Sequence, residues 1–289
     1  MKTLVNVGCG ATIHPDWINI DLASRHPAVR LHDLRTGLPF ADGAVDVCYS
    51  SHVLEHLTPN QAGFFVREQF RVLKPGGIIR VVVPDLEVIC RNYCRCLDAL
   101  RDGASGQEFP YDYALLELYD QTVRSSSGGE LAKVWSTCAG ADRDHVISRH
   151  GPLPPRTVPP GPPPGLRRRW RATLSDLRSG RWGAALRQRV AEGAAALWLG
   201  ERGRTALNEG LFRASGEVHR WMYDAFSLGR LLKQHGFQQP HRTTASASLI
   251  AHFADYNLDA VDGQVRKPGS LFMEAVVAAA APVTERLPG

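Results

Sequence analysis

Leu4-Val5-Asn6-Val7-Gly8-Cys9-Gly10, with Trp17-Ile18-Asn19-Ile20-Asp21 close behind it, decides the fold. A short apolar strand that runs into Gly-x-Gly, then a second strand that ends on a carboxylate, opens a parallel α/β sheet. The glycines let the backbone turn come close to a ligand, and a carboxylate at the next strand end can accept two ribose hydroxyls. The third glycine of the dinucleotide fingerprint is absent, and so is the helix whose N-terminus would hold a pyrophosphate. Gly8, Gly10 and Asp21 therefore suit a ligand with a nucleoside but no phosphate. Gly10 also stands too near the second strand for a helix to cross back over the sheet, so the first crossover reads as a loop or a single turn.

Outward from this stretch, residues 29–31 and 45–50 read as strands, and the apolar run 78–83 suits a strand buried on both faces. A helix fits residues 60–73. Thr58 caps it, Pro59 lies in its first turn and Lys74-Pro75-Gly76-Gly77 ends it. Further helices fit 86–100, 113–123 and 227–235, and further strands 249–253 and 270–277. The fold class is α/β, a doubly wound and mostly parallel sheet with a helical or irregular cap. Residues 1–96 and 217–281 are expected to form the core and 97–216 the insertion. Within the insertion, eight of the thirteen residues 152–164 are proline, which forbids helix and favours an extended linker.

The chain has 289 residues, 44% of them apolar, enough for a large buried core. It has no run of eighteen apolar residues, and the first strand follows so soon after Met1 that no signal peptide fits, so a cytoplasmic protein with six reduced cysteines is expected. The net charge is +5, but residues 166–204 hold ten Arg against Asp176, Glu192 and Glu201, a local +7. The basicity belongs to the insertion.

With Asn6-Val7-Gly8-Cys9-Gly10 and Asp21 stand His32-Asp33-Leu34, Leu38-Pro39-Phe40, Val45-Asp46-Val47-Cys48-Tyr49-Ser50-Ser51-His52-Val53-Leu54-Glu55-His56-Leu57 and Arg71-Val72-Leu73-Lys74-Pro75-Gly76-Gly77. In this order they resemble the class I S-adenosylmethionine-dependent methyltransferases, in particular small proteins found with glycan-biosynthesis enzymes. His219-Arg220-Trp221-Met222-Tyr223-Asp224 and Pro268-Gly269-Ser270-Leu271 resemble the closing part of that subgroup. The resemblance implies S-adenosylmethionine as cofactor. It places Gly8 and Gly10 on its methionine part, Asp21 on the ribose, Asp33 and Leu34 on the adenine, and Ser50 and Ser51 on the pocket floor. Asn6 stands where the family usually has an acid, so its contact to the methionine amine becomes neutral.

Methyl transfer from a sulfonium needs alignment and, for a hydroxyl acceptor, a base. His56 is the first candidate, with His52 and His219 beside it, each weighed against plain packing in a helix start or cap. His52 and His56 share a helical face at a spacing that can bind a metal, but no third ligand can be named, so no metal site is expected. Cys90 and Cys94 read as core thiols on the apolar face of their helix. The expected reaction is methyl transfer to a small-molecule or carrier-linked acceptor, with a glycan intermediate as the first guess. A non-catalytic cofactor-binding regulator and an RNA methyltransferase are the alternatives. The basic, Trp-containing insertion reads first as a lid. It leaves open a peripheral contact with lipid, and without a recognition motif nucleic acid is not favoured.

Overall fold

The computed structural model describes residues 2–24, 26–151 and 181–279, with only the course of the chain for 181–190, 192 and 195. The expected linker 152–164 and the first part of the Arg-rich segment lie outside the described residues. The chain divides into two units, one of residues 1–122, 139–152 and 219–289, the other of 123–138 and 153–218.

The first unit is built on seven strands. They are β1 (Leu4–Val7), β2 (Ile18–Asp21), β3 (Val29–Leu31), β4 (Val45–Ser51), β5 (Leu73–Pro84), β6 (Gln238–Thr243) and β9 (Ser270–Val276), in the order β3-β2-β1-β4-β5-β9-β6. The pairs from β3 to β5 are parallel, and β9 runs antiparallel to both its neighbours. The sheet is thus the doubly wound, mostly parallel one expected of a class I methyltransferase. A small hairpin of β7 (Ala260–Val261) and β8 (Gln264–Val265) stands apart from it. Among the described residues no helix is long and apolar enough to cross a membrane.

Between β4 and β5, α1 (Pro59–Val72) starts where its capping residues demand. Thr58 and Gln61 bond reciprocally across the first turn, and Pro59 holds the first helical position. Ala62, Phe65, Val66 and Val72 press one face of α1 onto Val5, Val7, Cys48, Ile79, Val81 and Val83 of the sheet. α2 (Leu86–Arg101), α3 (Glu108–Val123) and α5 (Gly140–His150) follow, and α7 (Ala225–Gln234) joins α1 on the same sheet face, capped by Asp224 and Ser227. In the second unit stand α4 (Gly129–Thr137) and α6 (Arg181–Ala214), the latter broken at Gly200.

Among the described residues, the core on the opposite sheet face is closed by a connection rather than by a helix. Leu4, Trp17, Val47, Tyr49, Val82 and Phe272 are covered there by Ala245, Ile250, Phe253 and Leu258, all from the connection between β6 and β9. No helix lies between β1 and β2, as the short crossover requires, and that irregular connection supplies the missing cover.

A row of polar residues crosses this covered face, one from each strand between β2 and β6. Asn19 lies opposite Asn6, Asn6 opposite Tyr49, Tyr49 opposite Arg80, Arg80 opposite Glu274 and Glu274 opposite His241. Arg80, read as part of an apolar run, is fully buried. It pairs with Asp259 at 2.8 Å and Glu274 at 2.7 Å, donates to the carbonyls of Thr244 and Ala247, and lies 4.2 Å over the ring of Phe253. Tyr49 donates to the other oxygen of Asp259 at 2.6 Å. The connection is therefore pinned by charge at its middle as well as by its apolar residues.

Three expectations need correcting. Residues 249–252 form bends and a turn that lead into a 3-10 turn at Phe253–Tyr256, and the strand is instead Gln238–Thr243. This strand escapes an apolar pattern because it is the sheet's edge, where exposed polar residues and Pro240 are tolerated. Cys90 and Cys94 are exposed, because α2 buries a stripe displaced by one residue, through Ile89 and Cys96. Residues 108–122 and 140–150, expected in the insertion, group with the sheet.

Candidate functional site

At the carboxyl ends of the parallel strands the chain leaves β1 through Gly8 and Gly10, with φ of 72° and 55°, values that favour glycine. The N–H groups of Gly8 and Cys9 both donate to the carbonyl of Ile20, which folds the turn back over β2. Asp21 closes it, its Oδ2 accepting from the Gly10 N–H at 2.8 Å and its Oδ1 from Ala23. A carboxylate accepts about four hydrogen bonds, so both oxygens keep capacity for a ligand. Nothing lies within 4 Å of the place a Gly10 Cβ would take, so the turn has open space beside it. Burial, with Asp21 nearby, pushes the Cys9 thiol up to about 11, which keeps it protonated and unreactive at neutral pH.

Asn6 stands elsewhere. It is 1% exposed, its side chain belongs to the polar row, and its amide donates to Thr12 O at 2.8 Å and Asn19 Oδ1 at 3.0 Å. Asn19 in turn donates to the carbonyls of His14 and Trp17. Together the two asparagines tie down the loop that replaces the first crossover helix. The amide hydrogens of Asn6 are spent on Thr12 and Asn19, so toward a ligand only its Oδ1 would act, as an acceptor.

Asp33 caps the turn Leu34–Thr36, and both its oxygens meet the guanidinium of Arg35, which with the Arg35 N–H holds its carboxyl down at about 2. Leu34 packs on the core under α1. Ser50 and Ser51 end β4. Ser50 is buried, and its hydroxyl has no protein partner.

Beyond β4 the structure brings together all three expected imidazoles. His52 has a φ of 57°, uncommon for a residue with a side chain, and its N–H is fixed by Val82 O. Its Nε2 lies 2.9 Å from Ser270 Oγ and its Nδ1 3.0 Å from Oε1 of Glu55. The 3-10 turn Leu54–His56 then places His56 across from His219, ring centroids 4.8 Å apart and edge to face. The cause is a backbone clamp, since the carbonyl of Glu55 accepts from both Arg220 and Trp221 while His219 N–H donates to Gln121 O. Tyr223, a few residues after His219, packs in the apolar core, where burial foremost and then Glu55 push its hydroxyl up to about 12, and Asp224 caps α7.

Glu55 lies between His52 and His56 in the stretch after β4 where the sequence places the acceptor. It is fully buried among these rings. Burial alone would raise its carboxyl, but His52 foremost, then His56 and His219, outweigh it and hold the group down at about 2. Burial pulls His52 below the usual imidazole value.

Residues 9–81 match the family described as Methyltransferase domain. An uncharacterized methyltransferase of Mycobacterium leprae is 56% identical over 43 residues, 14% of this chain and 15% of that protein. One from Mycobacterium sp. strain KMS is 54% identical over 44 residues, 15% of this chain, and the chain spans only 16% of that relative's length. Two solved methyltransferases, from Archaeoglobus fulgidus and Thermotoga maritima, align over 95% and 96% of the chain and 86% and 82% of their own. Each is 10% identical, with TM-scores of 0.38 and 0.37.

Residues 9–81 are thus similar to a methyltransferase domain, for which S-adenosylmethionine is the expected cofactor. The residues present fit that cofactor. Gly10 leaves room for it, Asp21 has acceptors for its ribose, and the buried, unpartnered Ser50 hydroxyl lies at the adjoining strand end.

Proposed function

We propose that this protein transfers the methyl group of S-adenosylmethionine to an oxygen of a small or carrier-linked acceptor, a glycan intermediate being the first candidate. The observation that carries this reading is one sheet edge bearing two groups of residues. The Gly8–Gly10 turn with Asp21 lies at β1 and β2, and three imidazoles around Glu55 lie just past β4. Ligands of parallel sheets bind outside such strand ends.

When bound, the cofactor supplies an already activated methyl. Asp21 would orient the ribose, the glycine turn would admit the chain of the cofactor close to the backbone, and the imidazole group beyond β4 would receive the acceptor's proton. Calorimetry with S-adenosylhomocysteine should give a micromolar or tighter Kd that Asp21→Ala weakens at least tenfold, about 1.4 kcal/mol. No binding to the folded wild type would sink the reading. Binding without any 14-dalton gain in glycan or lipid-linked extracts, a mass difference fixed by the added CH2, would favour the non-catalytic regulator.

A lipid-linked acceptor draws support from the second unit, where Leu197, Trp198 and Leu199 are 82%, 83% and 70% exposed in an Arg-rich helix. Exposed Trp and Leu among Arg suit an anionic membrane surface. The full chain should co-sediment with phosphatidylglycerol vesicles and lose most of that binding in Trp198→Ser. Equal recovery on neutral phosphatidylcholine vesicles, or none on either, would count against lipid.

A further inference from the structure

Glu55 poses a chemical problem that methyl transfer does not solve. It has 0% exposure, and neither of its oxygens is satisfied by a hydrogen bond, although His52 Nδ1 lies 3.0 Å from Oε1. Among the described residues no Lys or Arg forms an ion pair with it, although the charge of Lys267 is felt there. A carboxylate buried with so little compensation is costly. Beside it the Nδ1 atom of His56 is also buried and without a hydrogen-bond partner. One ligand atom each from Glu55, His56 and His219 lies within 4.8 Å of the others.

We propose that Glu55, His56 and His219 bind a divalent transition metal ion of the zinc class. A cation at this point supplies the charge that the carboxylate lacks and takes the free imidazole nitrogen as a ligand. Two imidazoles and a carboxylate suit zinc and its neighbours in the first transition row rather than magnesium or calcium, which prefer oxygen alone. Three protein ligands leave a position for water or for an oxygen of a bound molecule. His52, at 3.0 Å from the carboxylate, and the clamp on the Glu55 carbonyl would orient the ligating side chain, as outer partners of metal ligands do. The third ligand was beyond sequence reasoning because it sits on a distant segment that only the folded clamp brings to His56.

The test uses the full chain stripped with chelator and titrated with zinc chloride. One equivalent should bind at micromolar Kd or tighter, and Glu55→Gln and His219→Ala, confirmed folded by circular dichroism, should each weaken it at least tenfold. Cys90→Ser/Cys94→Ser should bind as the wild type does. X-ray absorption of the zinc-loaded wild type, which needs no variant to fold, should show imidazole nitrogen and oxygen and no sulfur. Absence of zinc uptake by folded protein, uptake unchanged in both ligand variants, or sulfur at the zinc would overturn the proposal. S-adenosylhomocysteine titrated into the stripped protein separates the two readings. Zinc uptake without nucleoside binding would end the methyltransferase reading and keep the metal, and the reverse result would do the opposite.

Discussion

Arg80→Met should destabilise the first unit by about 3–5 kcal/mol, because removing one partner of a buried ion pair leaves the other charges stranded. Here the stranded groups are two, Asp259 and Glu274, held at 4% and 0% exposure. The substitution also frees the carbonyls of Thr244 and Ala247. Urea unfolding at neutral pH reads the loss, and a change below 1 kcal/mol would show that the cover of that sheet face does not depend on the arginine. Acid should partly rescue the variant. Burial foremost already raises the Asp259 carboxyl above its usual value against the pull of Arg80. A group raised in the folded state stabilises fully below its unfolded value, near 3.9 for Asp, and loses that contribution as pH climbs through the folded value. With Arg80 gone the rise is larger, so the deficit of the variant should widen from pH 5 to pH 8.

Asn6→Asp separates two views of one residue by sign. If Asn6 faced the methionine amine, an acid there would restore an attractive contact and tighten the cofactor. In the structure its amide is a donor to Thr12 O and Asn19 Oδ1, inside the covered polar row. Aspartate puts a charged acceptor against two acceptors at a buried position. The expected cost is about 2–4 kcal/mol, with the loop 9–17 loosened and S-adenosylhomocysteine bound more weakly because Gly10 and Asp21 are reached through that loop. Thermal unfolding and calorimetry on the same preparation decide it, and a stable variant with tighter binding would refute the placement.

What could be read in advance follows local rules. The glycine turn, the strand-end Asp21, the capped α1 and the missing first helix all depend on neighbours within a few residues, so their chemistry is written along the chain. The rest depends on partners far away. Arg80 looks like an interruption of an apolar run until Asp259 and Glu274 arrive opposite it. His52 and His56 lacked a third companion until the clamp at Glu55 delivered His219. Asn6 carries no mark of which sheet face it serves, because that depends on register with Asn19 and Tyr49. Edge strand Gln238–Thr243 is polar for the same reason, since its position at the margin, not its own composition, makes it a strand.

The irregular cover over the second sheet face has a consequence for biosynthesis. Five strands and α1 emerge from the ribosome before residues 245–258, which cover Val47, Tyr49 and Val82 in the folded protein. Asp259 and Glu274, the partners of Arg80, also follow only after the second unit has been made. Release factors or nonsense mutations that stop synthesis inside that interval would yield a product whose fate is aggregation or capture by chaperones rather than a smaller working enzyme.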